Sequence, residues 1–359
     1  MKIVVSAGGS FGHINPALAI IRKFQEKESD LEVLYIGTHN RMEKEIIPKE
    51  NIPYEEIEIY GFTKNFRQNF KNLKCIRHAT RKCLQIMKDF QPDVVIGVGG
   101  YVTYPVLKAA HQQHIKIFLH EQNSIPGKSN RVLAKYADLI GVTFQHSIPY
   151  FKTKGRIIYT GHPCGAQALQ EKKLEKSVLG LTKGKKLVII VAGSLGSGSL
   201  NEKMKEVLYQ CGKENFEVLY ITGKAHYDSF IEHENFPSNV IVKPYVEHFA
   251  GFLKNADVVI SRAGAASLYE LMALNIPSII IPSPNVANNH QYYNAVEMKE
   301  KGVISLLMES DLTSEQLLGE MKDLLENKER RFQMIEEQKK LDVIDSSSII
   351  YQEIKDMIK

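Results

Sequence analysis

Short apolar runs alternate with longer stretches of helical period along the whole chain. In the first half, residues 2–6, 32–36, 94–98, 116–120, 139–143 and 157–160 read as strands. In the second half, residues 187–192, 217–222, 240–243, 257–261 and 278–281 read the same way. Most of these runs are apolar at consecutive positions rather than at every second one. That is the pattern of a strand covered on both faces. Strands of this kind separated by helical segments predict an α/β protein with doubly wound parallel sheets.

The pattern also repeats. "IVVSAGGSFGHINPALAI" (3–20) and "LVIIVAGSLGSGSLNEKM" (187–204) each read as strand, glycine-rich turn with serine, then helix. Two Rossmann-like domains account for this, with expected spans 1–163 and 164–341. The last stretch alternates apolar and charged residues from Ser346 to Lys359. It is expected to form an amphipathic helix, within 342–359, that packs back on the first domain. A ligand is expected in the cleft between the two domains, at the carboxyl ends of the strands.

Composition changes this picture little. The chain has 359 residues, 43% hydrophobic and 24% charged, with a formal net charge of +5. Such a mild charge does not by itself point to nucleic acid. Cys75, Cys83, Cys164 and Cys211 form no CxxC pair and no zinc-type spacing. They read as small buried side chains in a reducing compartment. No run approaches the roughly 18–20 apolar residues of a membrane-spanning helix. The apolar start, 3–7, is too short for a signal peptide and ends at Gly8-Gly9.

The candidate chemistry lies in the turns. Glycines let backbone approach a ligand closely, and a helix start offers unpaired N–H groups to an anion. Neither repeated turn is a GxGxxG or GxxxxGK[ST] motif, so the reading stops at an anion or sugar near a helix start. A third turn follows the run 257–261. Arg262 and the small residues Ala263, Gly264, Ala265, Ala266 and Ser267 precede a helix that carries Glu270 one turn in. A carboxylate there can accept two hydrogen bonds from a ribose diol, or simply complement the helix dipole.

These segments together resemble the MurG family of glycosyltransferases. The matching pieces are "GGSFGHINPALAI", "GVGGYVTYPVLKAA", "HEQNSIPGKSNRVLAKYAD", "AGSLGSGSLN", "SRAGAASLYEL" and "NHQYYNA", in the family's order over about residues 3–305. The resemblance implies a GT-B fold. Its first domain takes an undecaprenyl-linked lipid I acceptor, and its second takes UDP-N-acetylglucosamine. The sugar is transferred with inversion and without a metal or cofactor.

By position, the resemblance places Ser10, Phe11 and Gly12 at the first turn and Asn123 at the sugar. It places Ser194 by the phosphates and Val246 at the uracil. Ala265, Ala266, Ser267, Leu268, Tyr269 and Glu270 cradle phosphate and ribose, and Gln291 holds the sugar hydroxyls. Two positions depart from the family pattern. Phe11 stands where a glycine is usual, and Gly165 stands where an arginine is usual. Arg262 is the candidate for neutralising phosphate in that arginine's place. His13, with an ordinary pKa of about 6.5, is the candidate base, or alternatively orients the acceptor or holds the turn.

One stretch remains. Residues 60–88 carry eight lysines and arginines and no acid, interleaved with apolar residues; Phe66, Lys71, Lys74 and Arg77 are representative. A basic amphipathic segment of this kind reads as an anionic membrane surface element or as a solvated helix face. The first reading makes the protein a peripheral one, on the cytoplasmic face of the cell membrane. No motif supports nucleic acid as a partner.

Overall fold

The computed structural model describes residues 1–61, 66–192, 196–341 and 345–359, with backbone alone for 66–68, 70 and 71. Ser194, Phe62 and Lys64 therefore lie outside the described residues, as do residues 342–344 and the side chains of Phe66 and Lys71. The chain forms two compact units, Met1–Cys164 with Asp345–Lys359, and Gly165–Ile344.

The first unit holds a seven-stranded sheet. Its strands are β1 (Lys2–Ala7), β2 (Glu32–Thr38), β3 (Tyr54–Ile57), β4 (Val94–Gly99), β5 (Lys116–Glu121), β6 (Leu139–Val142) and β7 (Arg156–Tyr159). Their order is β3-β2-β1-β4-β5-β6-β7, and every pairing is parallel. β1 and β4 are buried on successive residues, as expected of strands with helices on both faces. The strand order reverses direction between β1 and β4. Chain leaving these two strands therefore diverges, which opens a crevice at their carboxyl ends.

The helix Phe11–Lys27 covers one face of this sheet with Ile14, Ala17, Ile20 and Ile21. The C-terminal helix Ser346–Ile358 packs beside it. Ile350 and Ile354 are fully buried in the same core, each worth about 1.5–3 kcal/mol of apolar transfer. Tyr351 meets Phe24 edge-on at 5.0 Å, and Tyr351 and Lys355 both donate to Glu28, at 2.6 and 2.7 Å. Ser347 donates to the Pro163 carbonyl at 3.0 Å, tying this helix to the end of the first segment.

On the other face, the helix Phe66–Phe90 turns Ala79, Cys83 and Met87 inward and leaves Leu73, Lys74, Arg77, His78 and Arg81 exposed. Burial pushes the Cys83 thiol up to about 12, so it is an inert core side chain.

The second unit holds a six-stranded sheet. Its strands are β8 (Leu187–Val191), β9 (Glu217–Ile221), β10 (Val240–Lys243), β11 (Val258–Ser261), β12 (Ser278–Ile280) and β13 (Ser305–Leu306). The order β10-β9-β8-β11-β12-β13 is again all parallel, with its reversal between β8 and β11. Val188, Ile190, Val258 and Ile260 form the centre of one core with helices Gly198–Cys211 and Ser314–Glu326. The sequence reading anticipates eleven of these thirteen strands; the two it lacks are β3 and β13.

Candidate active site

The first crevice is built around glycine. Gly8–Ser10 links β1 to the helix Phe11–Lys27, and Gly8 N–H donates to the Gly99 carbonyl at the end of β4, at 3.2 Å. Gly99 and Gly100 have φ of +117° and +90°. A Cβ on Gly100 would lie 2.3 Å from the Gly8 carbonyl oxygen, so only glycine lets the two chains cross. A Cβ on Gly99 would lie 2.5 Å from Cδ2 and 2.9 Å from Nε2 of His13. The imidazole thus rests against bare backbone. Its Nδ1 lies 3.1 Å from Ser10 Oγ. His13 sits in the first turn of its helix, half-buried, at the strand-order reversal.

Glu43 holds this turn from below. Its buried carboxylate accepts from Gly9 N–H at 3.2 Å, and from Thr38 N–H and Oγ1 at 3.2 and 2.7 Å. Sequence reasoning missed it, because a glutamate in "RMEKEIIPKE" resembles any charge on an exposed helix. Phe11 opens its helix outside the left-handed region, with 49% of its surface exposed. The backbone there is helical and accepts any side chain. A Cβ on Gly12 would meet only Ser10 Oγ, at an ordinary contact distance of 3.7 Å.

Asn123 belongs to the loop after β5, and Glu121 organises that loop. The Glu121 carboxylate accepts from Asn123 N–H at 2.9 Å, Gly127 N–H at 3.1 Å and Asn130 Nδ2 at 2.9 Å. Burial raises its pKa above the ordinary carboxylate value, and these bonds pull in the opposite direction. Gln122 ties the same loop to β4 through the Val98 carbonyl at 2.8 Å. His120 and His162 lie beneath. Burial pushes His120 down to about 4 and His162 well below its ordinary value, so both are uncharged at neutral pH.

The second unit repeats the device. The helix Ala265–Ala273 starts after Gly264 without a side-chain cap and with no acidic residue in its first turn. Its first N–H groups and dipole are thus available to an anion. Ala266 and Ser267 face outward, whereas Leu268 and Tyr269 are buried. Those last two side chains are turned inward, away from solvent. Glu270 lies half-buried one turn on, and burial pushes its carboxyl up to about 7. Gln291 accepts from Ser283 N–H at 2.8 Å, which fixes its amide, and Asn294 ties the same helix to the Ala263 carbonyl at 3.2 Å. Val246 is buried beside exposed Tyr245, whose ring lies under Lys224 Nζ at 4.7 Å.

Arg262, the candidate for neutralising phosphate, has a buried guanidinium paired with Glu309 at 2.5 Å. Gly165 begins the short helix Gly165–Gln170 and is itself buried. Among the described residues no group of three or more His, Cys, Asp or Glu could hold a metal ion. Among them, too, no helix is long and apolar enough to cross a membrane.

Comparison with known proteins places these two units. Residues 3–142 match the glycosyltransferase family 28 N-terminal domain, and residues 187–347 match the glycosyltransferase family 28 C-terminal domain. A Bacillus cytotoxicus relative is 39% identical over the full length of both chains. A Desulforamulus reducens relative is 40% identical over 95% of this chain and 94% of its own. Each is named a UDP-N-acetylglucosamine–N-acetylmuramyl-(pentapeptide) pyrophosphoryl-undecaprenol N-acetylglucosamine transferase. The crystal structure of Acinetobacter baumannii MurG superposes with a TM-score of 0.76 at 25% identity, covering 99% of each chain. Two parallel-sheet units of the GT-B type, matched over their whole length by these relatives, leave one conclusion: the chain belongs to glycosyltransferase family 28, and within it to the MurG family.

Proposed function

We propose that this protein moves N-acetylglucosamine from UDP-N-acetylglucosamine to the 4-hydroxyl of the muramyl residue of undecaprenyl-pyrophosphoryl-N-acetylmuramyl-pentapeptide, converting lipid I to lipid II in peptidoglycan synthesis. The observation that carries this is identity of 39% over the entire length of a relative named for that transfer. The first unit takes the acceptor and the second the donor.

In the second unit, the open start of the helix Ala265–Ala273 receives diphosphate through the N–H groups of Ala265, Ala266 and Ser267. Glu270 accepts from the ribose, the Val246 backbone meets the uracil, and Gln291 holds the sugar. Positive charge builds at the anomeric carbon as UDP departs with negative charge, and oriented N–H groups stabilise the latter. In the first unit, Ser10, Phe11 and Gly12 line the turn that meets UDP-N-acetylglucosamine, and Asn123 approaches the transferred sugar. His13 takes the proton of the attacking hydroxyl, its imidazole aligned by Ser10 and by the bare backbone of Gly99. No metal or cofactor is assigned a part.

The exposed basic face of the helix Phe66–Phe90, with Lys74 and Arg77, meets the anionic lipid surface on the cytoplasmic side of the membrane, where the lipid acceptor resides. Nucleic acid has no part in this reading.

The experiment is a transfer assay with purified protein, UDP-N-acetylglucosamine and a muramyl-pentapeptide pyrophosphoryl-lipid analogue. UDP and disaccharide appearing in equal amounts support the reading. Donor binding without disaccharide would replace it with a different acceptor or with a non-catalytic sugar-nucleotide-binding role.

A further inference from the structure

Arg262 and Glu309 are 47 residues apart in sequence, yet their side chains are only 6% and 7% exposed and face each other. Arg262 Nη1 donates to Glu309 Oε2 at 2.5 Å and to the Ile281 carbonyl at 3.2 Å. Its Nη2 donates to Ser197 Oγ at 2.6 Å. Glu309 Oε1 accepts from Ser199 Oγ at 2.6 Å, and the Glu309 carbonyl accepts from Lys203 Nζ at 2.6 Å. Arg262 Nε is buried with no partner among the described residues.

The pair therefore grips the start of the helix Gly198–Cys211 at three points, Ser197, Ser199 and Lys203. The chain just before it is fixed from the other side. Gly196 has φ of +76°, and a Cβ there would lie 2.3 Å from the Thr222 carbonyl oxygen. A charge pair buried this deeply presents little net field, so its value to a ligand lies in what it holds still. The Ser197 hydroxyl occupies the N-cap position but makes no side-chain cap; it accepts from Arg262 and lies 3.4 Å from Ser199 Oγ. A capping serine would otherwise satisfy helix N–H groups that an anion needs.

We propose that Arg262 and Glu309 are positioning residues for the donor diphosphate: their ion pair draws the Ser197 hydroxyl aside and keeps the start of the helix Gly198–Cys211 open to phosphate. This rests on the reading of the second unit as the donor site, with the start of this helix a second contact for the diphosphate received at the helix Ala265–Ala273.

The test compares UDP with uridine, which shares base and ribose but lacks phosphate, by calorimetric titration of the full-length protein. Wild type is expected to bind UDP more tightly than uridine. Glu309→Gln is expected to lower UDP affinity at least tenfold and leave uridine affinity unchanged, with KM for UDP-N-acetylglucosamine rising more than kcat falls. Ser199→Ala, at an exposed position that does not threaten folding, is expected to lose a few-fold in UDP affinity alone. Arg262→Lys, which keeps the charge but not the planar fork, is expected to behave as Glu309→Gln does.

Equal losses for UDP and uridine would make the pair a support of the fold and overturn the proposal. Tighter UDP binding by Glu309→Gln would also overturn it, by showing Arg262 to be a phosphate-binding cation that Glu309 masks. Unchanged UDP binding in all three variants would overturn it as well. If wild type bound neither ligand, the donor-site reading itself would fall.

Discussion

Gly99→Ala isolates what holds the candidate base. The added Cβ would stand 2.5 Å from His13 Cδ2, where ordinary contact begins at 3.4 Å, so the imidazole must retreat by about 0.9 Å. A non-glycine residue at φ of +117° also stores backbone strain of about 1–3 kcal/mol. In a unit of this size that strain lowers the melting temperature by roughly 2–12 °C. The protein is expected to remain folded, because the clash falls on a side chain able to move. A displacement near 1 Å in a group that must meet a reacting hydroxyl costs about 100-fold in rate.

The expected result is a kcat reduced about 100-fold, with KM for UDP-N-acetylglucosamine within twofold of wild type. Steady-state UDP release with a lipid acceptor measures both. The double variant His13→Ala/Gly99→Ala is the decisive control. If the glycine acts through the histidine, the double variant is no slower than His13→Ala. A folded Gly99→Ala protein with wild-type kcat, or a double variant slower by the product of both effects, would refute the reasoning.

Three other perturbations have defined outcomes. Burial raises the Glu270 carboxyl to about 7, and a ribose diol needs the ionised form as acceptor. UDP affinity should therefore fall about tenfold for each pH unit below 7, and Glu270→Gln should flatten that profile in titrations from pH 5 to 8. Because this carboxyl holds its proton more tightly folded than unfolded, stability contributed at low pH is lost as pH rises from about 4.5 through 7; Glu270→Gln should melt higher than wild type at pH 8, by calorimetry. Glu43→Ala leaves Gly9 and Thr38 donors unpaired and should cost about 2–4 kcal/mol in urea unfolding, with kcat falling too. Replacing Lys74 and Arg77 by alanine should weaken binding to anionic vesicles about 30-fold at low salt, at about 1 kcal/mol per cation, and leave binding to neutral vesicles unaltered in a sedimentation assay.

Most of the strands that sequence reading finds lie inside a sheet and are buried on successive residues, and the part-buried edge strands β7 and β10 are found because "RIIY" and "VIVK" are still largely apolar. β3 escapes because it is an edge strand reading "YEEI", whose two glutamates face outward in part, and β13 because it pairs through only two residues. His13 and Glu270 stand out in the sequence because a glycine turn and a helix start leave a local signature, whereas Ser10 and Gln291 enter only through the family resemblance. Glu43, Glu121 and Glu309 gain their roles only by burial against distant backbone. In sequence each is one acid among many. Arg262 shows the same limit from the other side. Its position after β11 suggests a phosphate partner, but the carboxylate that takes up its charge comes 47 residues later, after β13. The contact of His13 with Gly99 likewise joins two turns that only the sheet order brings together.

The central claim is transfer of N-acetylglucosamine to a muramyl 4-hydroxyl with inversion, and the product itself tests it most directly. Purified protein, UDP-N-acetylglucosamine and a muramyl-pentapeptide pyrophosphoryl-lipid analogue would be incubated and the products resolved by proton NMR. The account predicts a β-linked disaccharide joined at the muramyl O4, with UDP released in equal amount. An α linkage, free N-acetylglucosamine, or a sugar nucleotide epimerised at C2 with the acceptor untouched would contradict it.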